Sequence, residues 1–537
     1  MSNLTPEQRA LGRENANRVL GELRRRDLLK AAAAAPAVGA FYFGYEKMDK
    51  SPVRAAIIGT GDEGCQAMIR YHNRDYLNFV GYCDIRPSQQ KRAVKEFSDH
   101  AQYGPADANK LTRYDDHKKM LDDPNVEVVV IALPLWLHAP MAIEAMKAGK
   151  HVFCEKLMAH SVKECKEMVK VAHETNRLLA VGHQRHYSVL YDNANYLVQN
   201  DHLGDIRHIR ALWHRNNARP KLAKNGKGEA LFDGQGNPVY LVYDKDGNEV
   251  APDAKNATDV IVYQDGWKRP IPPEDRDIDF KKFGYESLDE LIRWRLFNRT
   301  GAGLMAELGS HQLDACSIFL GKKHPIAVTG IGGTFFYRDG REVDDHVFVT
   351  FEFPGKGWKP GEPDKGDHVV VTYSSINTNA FDKYGETVYG SRGTLIVEDE
   401  KEILLYKDAS NAAASRLTSV SVEKNAGGKP VIEVSPSTAG PTAAAAVGGL
   451  ATADPSRGYR EELEHFAYCV RHGNASDYHA DPDHKPRCRG EVALADAVIA
   501  LTSNIAMRQK RRIEFDPAWF DWQSPKTPEG DVTVARS

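Results

Sequence analysis

What this chain of 537 residues lacks narrows its function first. Its seven cysteines, Cys65, Cys83, Cys154, Cys165, Cys316, Cys469 and Cys488, stand apart without a C-x-x-C pair. An odd, scattered set argues against a disulfide framework and a zinc cluster and suits small buried hydrophobes. An excess of one charge is missing too. Against 74 acidic residues stand 71 basic ones, a net charge of −3, so no electrostatic pull toward nucleic acid or an anionic membrane is expected. The apolar run Ala31 to Gly44 is too short for an ordinary membrane-spanning helix. What is there, 42% hydrophobic and 27% charged residues with 43 glycines, is the composition of a globular protein. The length predicts roughly two to three domains.

One stretch organises the rest. The apolar run Val53 to Ile58 passes directly into Gly59-Thr60-Gly61-Asp62-Glu63-Gly64, the pattern of a buried parallel strand feeding a helix. In a dinucleotide fold the first glycine permits the tight turn, the second admits a pyrophosphate and the third lets helix lie on strand. The loop N–H groups, with Asp62 and Glu63 beside them, then face the phosphates at the positive end of a helix dipole. A second apolar run, Leu77 to Cys83, ends in Asp84, 20 residues beyond Gly64. There a carboxylate accepts hydrogen bonds from the adenosine ribose and favours NAD. Arg86 leaves NADP open, because a cation two residues on can receive a 2′-phosphate; its other reading is a solvated helix entry.

Residues 1–50 precede this loop. Residues 1 to 24 are polar and read as a solvated helix or a disordered arm. Arg24-Arg25-Arg26-Asp27-Leu28-Leu29-Lys30 and the weakly apolar run after it resemble a twin-arginine export signal. The expectation is export to the periplasm through the twin-arginine translocase, with a cytoplasmic protein carrying a docked basic helix as the alternative. Ala35-Pro36-Ala37 is a poor cleavage site, which leaves the segment able to stay as an anchor.

Across 51–182 short apolar runs alternate with amphipathic stretches, predicting a parallel α/β sheet covered by helices on both faces. The run Val128 to Leu133 stops at Pro134, with His138 four residues later; His151 to Cys154 ends in Glu155-Lys156; Leu178 to Val181 ends in Gly182-His183. Ligands of such sheets bind beyond the carboxyl ends of the strands, so Pro134, His138, Glu155 and Lys156 belong to the cofactor side.

The glycine loop, the Pro-x-x-x-His strand end and the Glu-Lys pair together resemble the Gfo/Idh/MocA oxidoreductases, named for glucose-fructose oxidoreductase, inositol dehydrogenase and rhizopine catabolism. The resemblance spans about Ser51 to Trp522, apart from two polar insertions. It implies a Rossmann domain, then a C-terminal α/β domain with an open, mostly antiparallel sheet. It also implies Glu155 in the cofactor pocket and Lys156 at the reacting substrate oxygen. Leu157 stands where the family usually has proline.

The substrate-binding half is expected over 183–522, with polar insertions near 216–279 and 410–456 and a tail at 523–537. In the first insertion, Asp233 to Val239 and Asp244 to Val250 read as hairpin turns; Asp244 and Asp246 hint at a calcium loop, but the later acidic ligand is missing. The second chemical cluster is Trp294-Arg295 followed by Glu307, His311 and Asp314. An imidazole with carboxylates in reach to orient it suits removal of a hydroxyl proton. The resemblance makes His311 the general base, with Glu307 at a position the family usually fills with aspartate. A metal held by Glu307, His311 and Asp314 is the rival reading; the expectation is no metal.

Arg185, His186, Trp294, Arg295 and Asp314 are the candidates for holding substrate hydroxyls. The expected activity is NAD(P)-dependent oxidation of a secondary hydroxyl of a sugar, cyclitol or glycoside by a tightly bound nicotinamide. Alternatives are a glycosidase or lyase working by transient C3 oxidation and elimination, and a non-catalytic NAD-binding sensor. The sheet from about Ile326 to Val397 is the expected homo-oligomer surface.

Overall fold

A computed structural model describes residues 4–31, 43–245, 247–362, 367–407, 420–424, 430–434 and 457–532. The apolar part of the expected export signal, most of the second polar insertion and Asp246 lie outside these residues.

The first sheet is wholly parallel. Its strands are β1 (Val53–Ile58), β2 (Leu77–Cys83), β3 (Thr112–Tyr114), β4 (Val128–Ile131), β5 (His151–Glu155) and β6 (Leu179–Gly182), in the order β3-β2-β1-β4-β5-β6. β4 and β5 are buried on both faces, which is why they read as unbroken apolar runs in the sequence. Ala55 and Ile57 join Phe97 and Phe466 on one face, while Ala56 and Ile58 join Ala142 and Val152 on the other. The order reverses between β1 and β4, where a doubly wound sheet opens its ligand crevice. Local signals start the covering helices: Pro87 opens one, and Ser161 with Glu164 forms a reciprocal capping box on Val162–Thr175.

The second half is built on a mixed sheet. β7 (Ile206–His214) is followed by a small three-stranded sheet, β8 (Val242–Asp244), β9 (Glu249–Val250) and β10 (Ala257–Ile261). Then come β11 (Ala327–Gly333), β12 (His346–Pro354), β13 (His368–Ile376), β14 (Tyr384–Gly390), β15 (Gly393–Glu398), β16 (Glu402–Lys407), the pair β17 (Val420–Lys424) and β18 (Pro430–Val434), and β19 (Ile513–Glu514). The large sheet runs β16-β15-β14-β7-β13-β12-β11-β19, antiparallel except where β7 meets β13. Its inner face packs on the helices Ser310–Phe319 and Gly490–Gln509. The second of these is long and apolar enough to cross a membrane, yet 78% of its apolar window is buried inside the protein. It lies against Val162–Thr175 of the first half and β11 of the second, so its apolarity serves the seam between them.

The expected hairpin turns are there. Asp233 accepts from the N–H groups of Gln235 and Asn237, and Asp244 accepts from that of Asn248. Gly236 and Gly247 supply the positive φ. The N-terminal arm differs from expectation. A helix, Pro6–Ala31, lies along β16, with Asn15 Nδ2 donating to Leu405 O at 3.0 Å, Arg13 paired with Glu402 at 2.8 Å, and Ala16 buried. Gly12, Asn15 and Ala16 are small enough on one face for the helix to approach the strand; a Cβ on Gly12 would fall 2.6 Å from the Tyr406 hydroxyl oxygen.

Candidate active site

The phosphate loop follows from backbone geometry. Gly59 has φ +88°, and a Cβ there would lie 2.2 Å from Ala132 O. A Cβ on Gly64 would lie equally close to Gly59 O, whereas none of the surrounding atoms comes within 4 Å of a Cβ on Gly61. Two glycines therefore make the turn and the third leaves an open floor. The helix beyond begins with a wide π-turn, Gly64–Ile69, a form frequent at functional sites. Asp84 sits at the end of β2, accepting from Thr60 N at 2.7 Å and Arg86 N at 2.8 Å. Burial pushes its carboxyl up, and those bonds oppose the shift. An open glycine floor, a carboxylate at the second strand end and the crevice between β1 and β4 fit a dinucleotide.

A cavity of about 700 Å³ runs from Asp84 and Gly61 past Pro134 and His138 to Glu155, Lys156, Trp294, Arg295 and Glu307. Glu155 is enclosed, and burial, then the neighbouring Glu63, pushes its carboxyl up to about 8. Lys156 Nζ donates to Glu307 O at 2.9 Å. The Glu307 carboxylate receives Arg295 Nε at 2.7 Å, and that guanidinium lies 4.3 Å from the centre of the Trp294 ring. Against desolvation by burial, Arg295 and Lys156 hold Glu307 below the usual range, so it is ionised. His138 presents its ring nitrogens to Leu133 O and Leu157 O at 2.9 and 2.8 Å, tying the segment after Lys156 to the end of β4.

His311 lies in Ser310–Phe319, which continues directly from a second π-turn, Met305–Gly309. It is 7% exposed, and its ring centre is 5.4 Å from that of Trp213 on β7. Burial, then the charges of Lys156 and Arg185, hold it well below the ordinary histidine value, so the imidazole is neutral. The carboxylates are used differently from expectation. Glu307 is engaged by Arg295. Asp314 Oδ1 lies 2.9 Å from His186 Nε2 and 2.8 Å from Lys322 Nζ. Among the described residues, neither is hydrogen-bonded to His311, and its buried Nδ1 has no hydrogen-bond partner.

Of the five residues expected to hold hydroxyls, Trp294 and Arg295 line the cavity, while Arg185, His186 and Asp314 are absent from its wall. Arg185 is buried, donating to Gln312 at 2.6 Å and Glu400 at 2.8 Å, with its guanidinium over Tyr191. Asp314 belongs to a buried cluster with His183 and Asp496, whose ligand atoms lie within 4.8 Å of one another. The ammonium of Lys322, 2.8 Å from Asp314 and 3.9 Å from Asp496, already supplies a cation there. Among the described residues, Glu307, His311 and Asp314 form no such cluster.

The cavity is closed by residues that sequence reasoning missed, from the end of the first polar insertion. Trp267, Arg269, Pro272 and Tyr285 line it. Arg269 pairs with Asp62 at 2.8 Å, and Asp62 also receives Arg92 at 2.7 Å. Tyr285 meets Trp136 edge-on at 5.3 Å. The signal available was Trp267-Lys268-Arg269-Pro270, an aromatic and basic run in an otherwise polar stretch.

Residues 53–183 match the profile of the oxidoreductase family with an NAD-binding Rossmann fold, GFO_IDH_MocA, and residues 279–396 match the GFO/IDH/MocA C-terminal domain. Similar curated proteins include glycosyl hydrolase family 109 protein 1 of Shewanella sp. (strain MR-4), 29% identical over 27% of this chain and 32% of its own length. The alpha-N-acetylgalactosaminidase of Shewanella oneidensis is 28% identical over the same shares. The chain thus spans about a third of the length of these relatives. Among solved structures, the fold resembles aldose-aldose oxidoreductase from Caulobacter crescentus, at TM-score 0.52 and 16% identity over 86% of this chain and 100% of that one. It also resembles levoglucosan dehydrogenase in complex with NADH and L-sorbose, at TM-score 0.52 and 15% identity over 87% and 100%. Over these two segments, an NAD-binding Rossmann domain and a C-terminal domain behind it, the chain matches the Gfo/Idh/MocA oxidoreductase family.

Proposed function

We propose that this protein oxidises a secondary hydroxyl of a sugar, cyclitol or glycoside using a tightly held NAD. The observation that carries the reading is the cavity that joins the dinucleotide loop to Lys156 and Glu307; neutral His311 lies one helical turn beyond Glu307, outside the cavity wall. NAD, when bound, supplies a hydride acceptor. His311 takes the hydroxyl proton, and Lys156 donates a hydrogen bond to the same oxygen as it becomes a carbonyl. Ionised Glu307, tied to Arg295, sets the charge beside Lys156, and Trp294 with Arg295 walls the sugar.

A second reading is favoured by the names of the relatives, glycosyl hydrolase family 109 and alpha-N-acetylgalactosaminidase. Transient oxidation at C3 would acidify the C2 proton, and a base takes that proton as the aglycone leaves C1. Water then adds to C1 of the resulting enone with a proton returning to C2, and the hydride returns to C3, so the net reaction is hydrolysis without oxidation. The non-catalytic sensor is the weakest of the three readings because Lys156 and His311 are both present. Export agrees with the closed cycles, since outside the cytoplasm no free NAD pool replaces a spent cofactor. We further propose that Arg25 and Arg26 direct that export; a reporter fused after residues 1–50 should leave the cytoplasm, and replacing both arginines by lysine should retain it there.

One experiment separates the catalytic readings. Nucleotide released on denaturation is assayed, and the native protein is incubated with sugars and glycosides while reduced nicotinamide is followed. Net reduction of added NAD marks a dehydrogenase. Aglycone release without net reduction marks the glycosidase, and neither activity with NAD still bound would discard both in favour of the sensor.

A further inference from the structure

Behind the adenosine end of the cavity, a buried protein carboxylate holds the lining residue Arg86 where an anion would otherwise draw it. We propose that Asp275, delivered by the first polar insertion of the substrate half, makes this protein selective for NAD over NADP. The inference goes beyond the substrate reading and rests only on the cavity being a dinucleotide site.

The helix Pro87–Asp99 starts three residues after Asp84, so its first turn points toward the ribose that Asp84 receives. A helix N-terminus with an arginine and a serine beside it is a ready anion site, and an arginine there is what accommodates a 2′-phosphate in NADP enzymes. Here Asp275 already takes the Nε–H of that arginine and both donors of the serine. Asp275 Oδ2 receives Arg86 Nε at 3.0 Å and Ser88 Oγ at 2.5 Å, and its Oδ1 receives Ser88 N at 3.0 Å. One carboxylate, 189 positions away in sequence, therefore holds the guanidinium, the hydroxyl and the free N–H together. Asp275 has no exposed surface, although it lies in a polar insertion. Pro272 and Pro273 fix the approach of its 3₁₀ turn, and the next residue back in the pairing, Glu274, takes Lys91 at 3.0 Å.

The charge balance follows. Arg86 lies between Asp84, which accepts its backbone N–H, and Asp275, which accepts its side chain. Two carboxylates thus face one guanidinium, and the neighbouring lysine is paired. A neutral ribose hydroxyl can enter and bond Asp84. A 2′-phosphate, with a charge near −1.5 to −2 at neutral pH, meets two carboxylates and finds Arg86 Nε, Ser88 N and Ser88 Oγ occupied. The same contacts fasten the insertion over the adenosine, in series with the Arg269–Asp62 pair over the phosphates.

The test is binding of NAD and NADP to the nucleotide-stripped full chain, followed by tryptophan fluorescence, in the wild type, Asp275→Ala and Asp275→Ala with Arg86→Leu. The wild type should bind NAD far more tightly than NADP. Asp275→Ala should narrow the ratio of the two dissociation constants by about tenfold or more, through tighter NADP binding, and the second substitution should reverse that gain. A purely structural role for Asp275 would weaken both nucleotides alike, and an unchanged ratio in a folded Asp275→Ala protein overturns the inference. So does a wild type that binds NADP as well as NAD. A wild type that binds neither removes the dinucleotide reading and the inference with it.

Discussion

At the scale of single residues, the site separates groups that act at the substrate from groups that hold charge in place. Lys156 and His311 are the pair proposed to touch the reacting oxygen. Lys156→Ala and His311→Ala should each lower turnover by about 10²-fold or more, as loss of a general base or an oxyanion donor does, while each purified variant still releases stoichiometric nucleotide on denaturation. Loss of the nucleotide in either variant would move that residue from chemistry to cofactor binding.

Buried carboxyls set a pH dependence at the same scale. Burial, then Glu155, raises Glu462 far above its ordinary value, and among the described residues neither of its oxygens has a hydrogen-bond partner. Burial raises Glu386 to about 8, as it does Glu155. These groups bind protons in the folded protein that the unfolded chain releases near pH 4.3. Their contribution is therefore complete below that pH and is lost as pH rises toward 8. Glu462→Gln keeps the shape and cannot ionise. Its melting temperature should match wild type at pH 4 and exceed it at pH 8.5; an equal offset at both values would rule out ionisation as the cause.

At the scale of elements, the polar insertion is the part whose use differs most from its sequence. Asp233 and Asp244 organise hairpin turns by local side-chain bonds, and that was readable because the turn residues are adjacent. The same insertion then delivers Arg269 to the cofactor cavity and Asp275 to Arg86 beside it, and Tyr285, just past the insertion, lines the cavity as well. Apart from the aromatic and basic run Trp267-Lys268-Arg269-Pro270, no local pattern points to their partners, because Asp62, Arg86 and Trp136 lie in another domain. Arg269→Ala should speed NAD release about two- to fivefold, the scale of a partly exposed ion pair worth ~0.2–1 kcal/mol, measured by desalting and assay of retained nucleotide. No change in release would mean that Arg269 does not help retain the cofactor. The N-terminal helix teaches the converse. Its polar sequence suggested a free arm, but three small residues at helical spacing let it lie on β16.

At the scale of the molecule, the outer face of the large sheet stays open. Ile331 pairs across strands with Phe348, and both are exposed at 68% and 42%. Val370 and Tyr389 continue the apolar character on neighbouring strands, with His208 stacked on Tyr389. Such a face is a candidate interface between copies of the chain. Phe348→Asp should convert an oligomeric wild type into monomers in light scattering after gel filtration; a variant of unchanged mass would put any interface elsewhere.

The sequence by itself determined what depends on neighbours within a turn or a strand. Examples are the glycine loop and its steric demands, the double burial of β4 and β5, the end of β2 at Asp84, and the presence of Lys156 and His311 on chemistry-bearing segments. Tertiary structure alone decided which side chains those segments meet. Asp314 follows the buried side of its helix to His186 and Lys322, leaving His311 beside Trp213. Asp275 reaches Arg86 across the domain seam. The physical reason is the same in each case: strand and helix periodicity is written over a few residues, whereas pairing of buried charges depends on which surfaces the packed sheets bring within three ångströms.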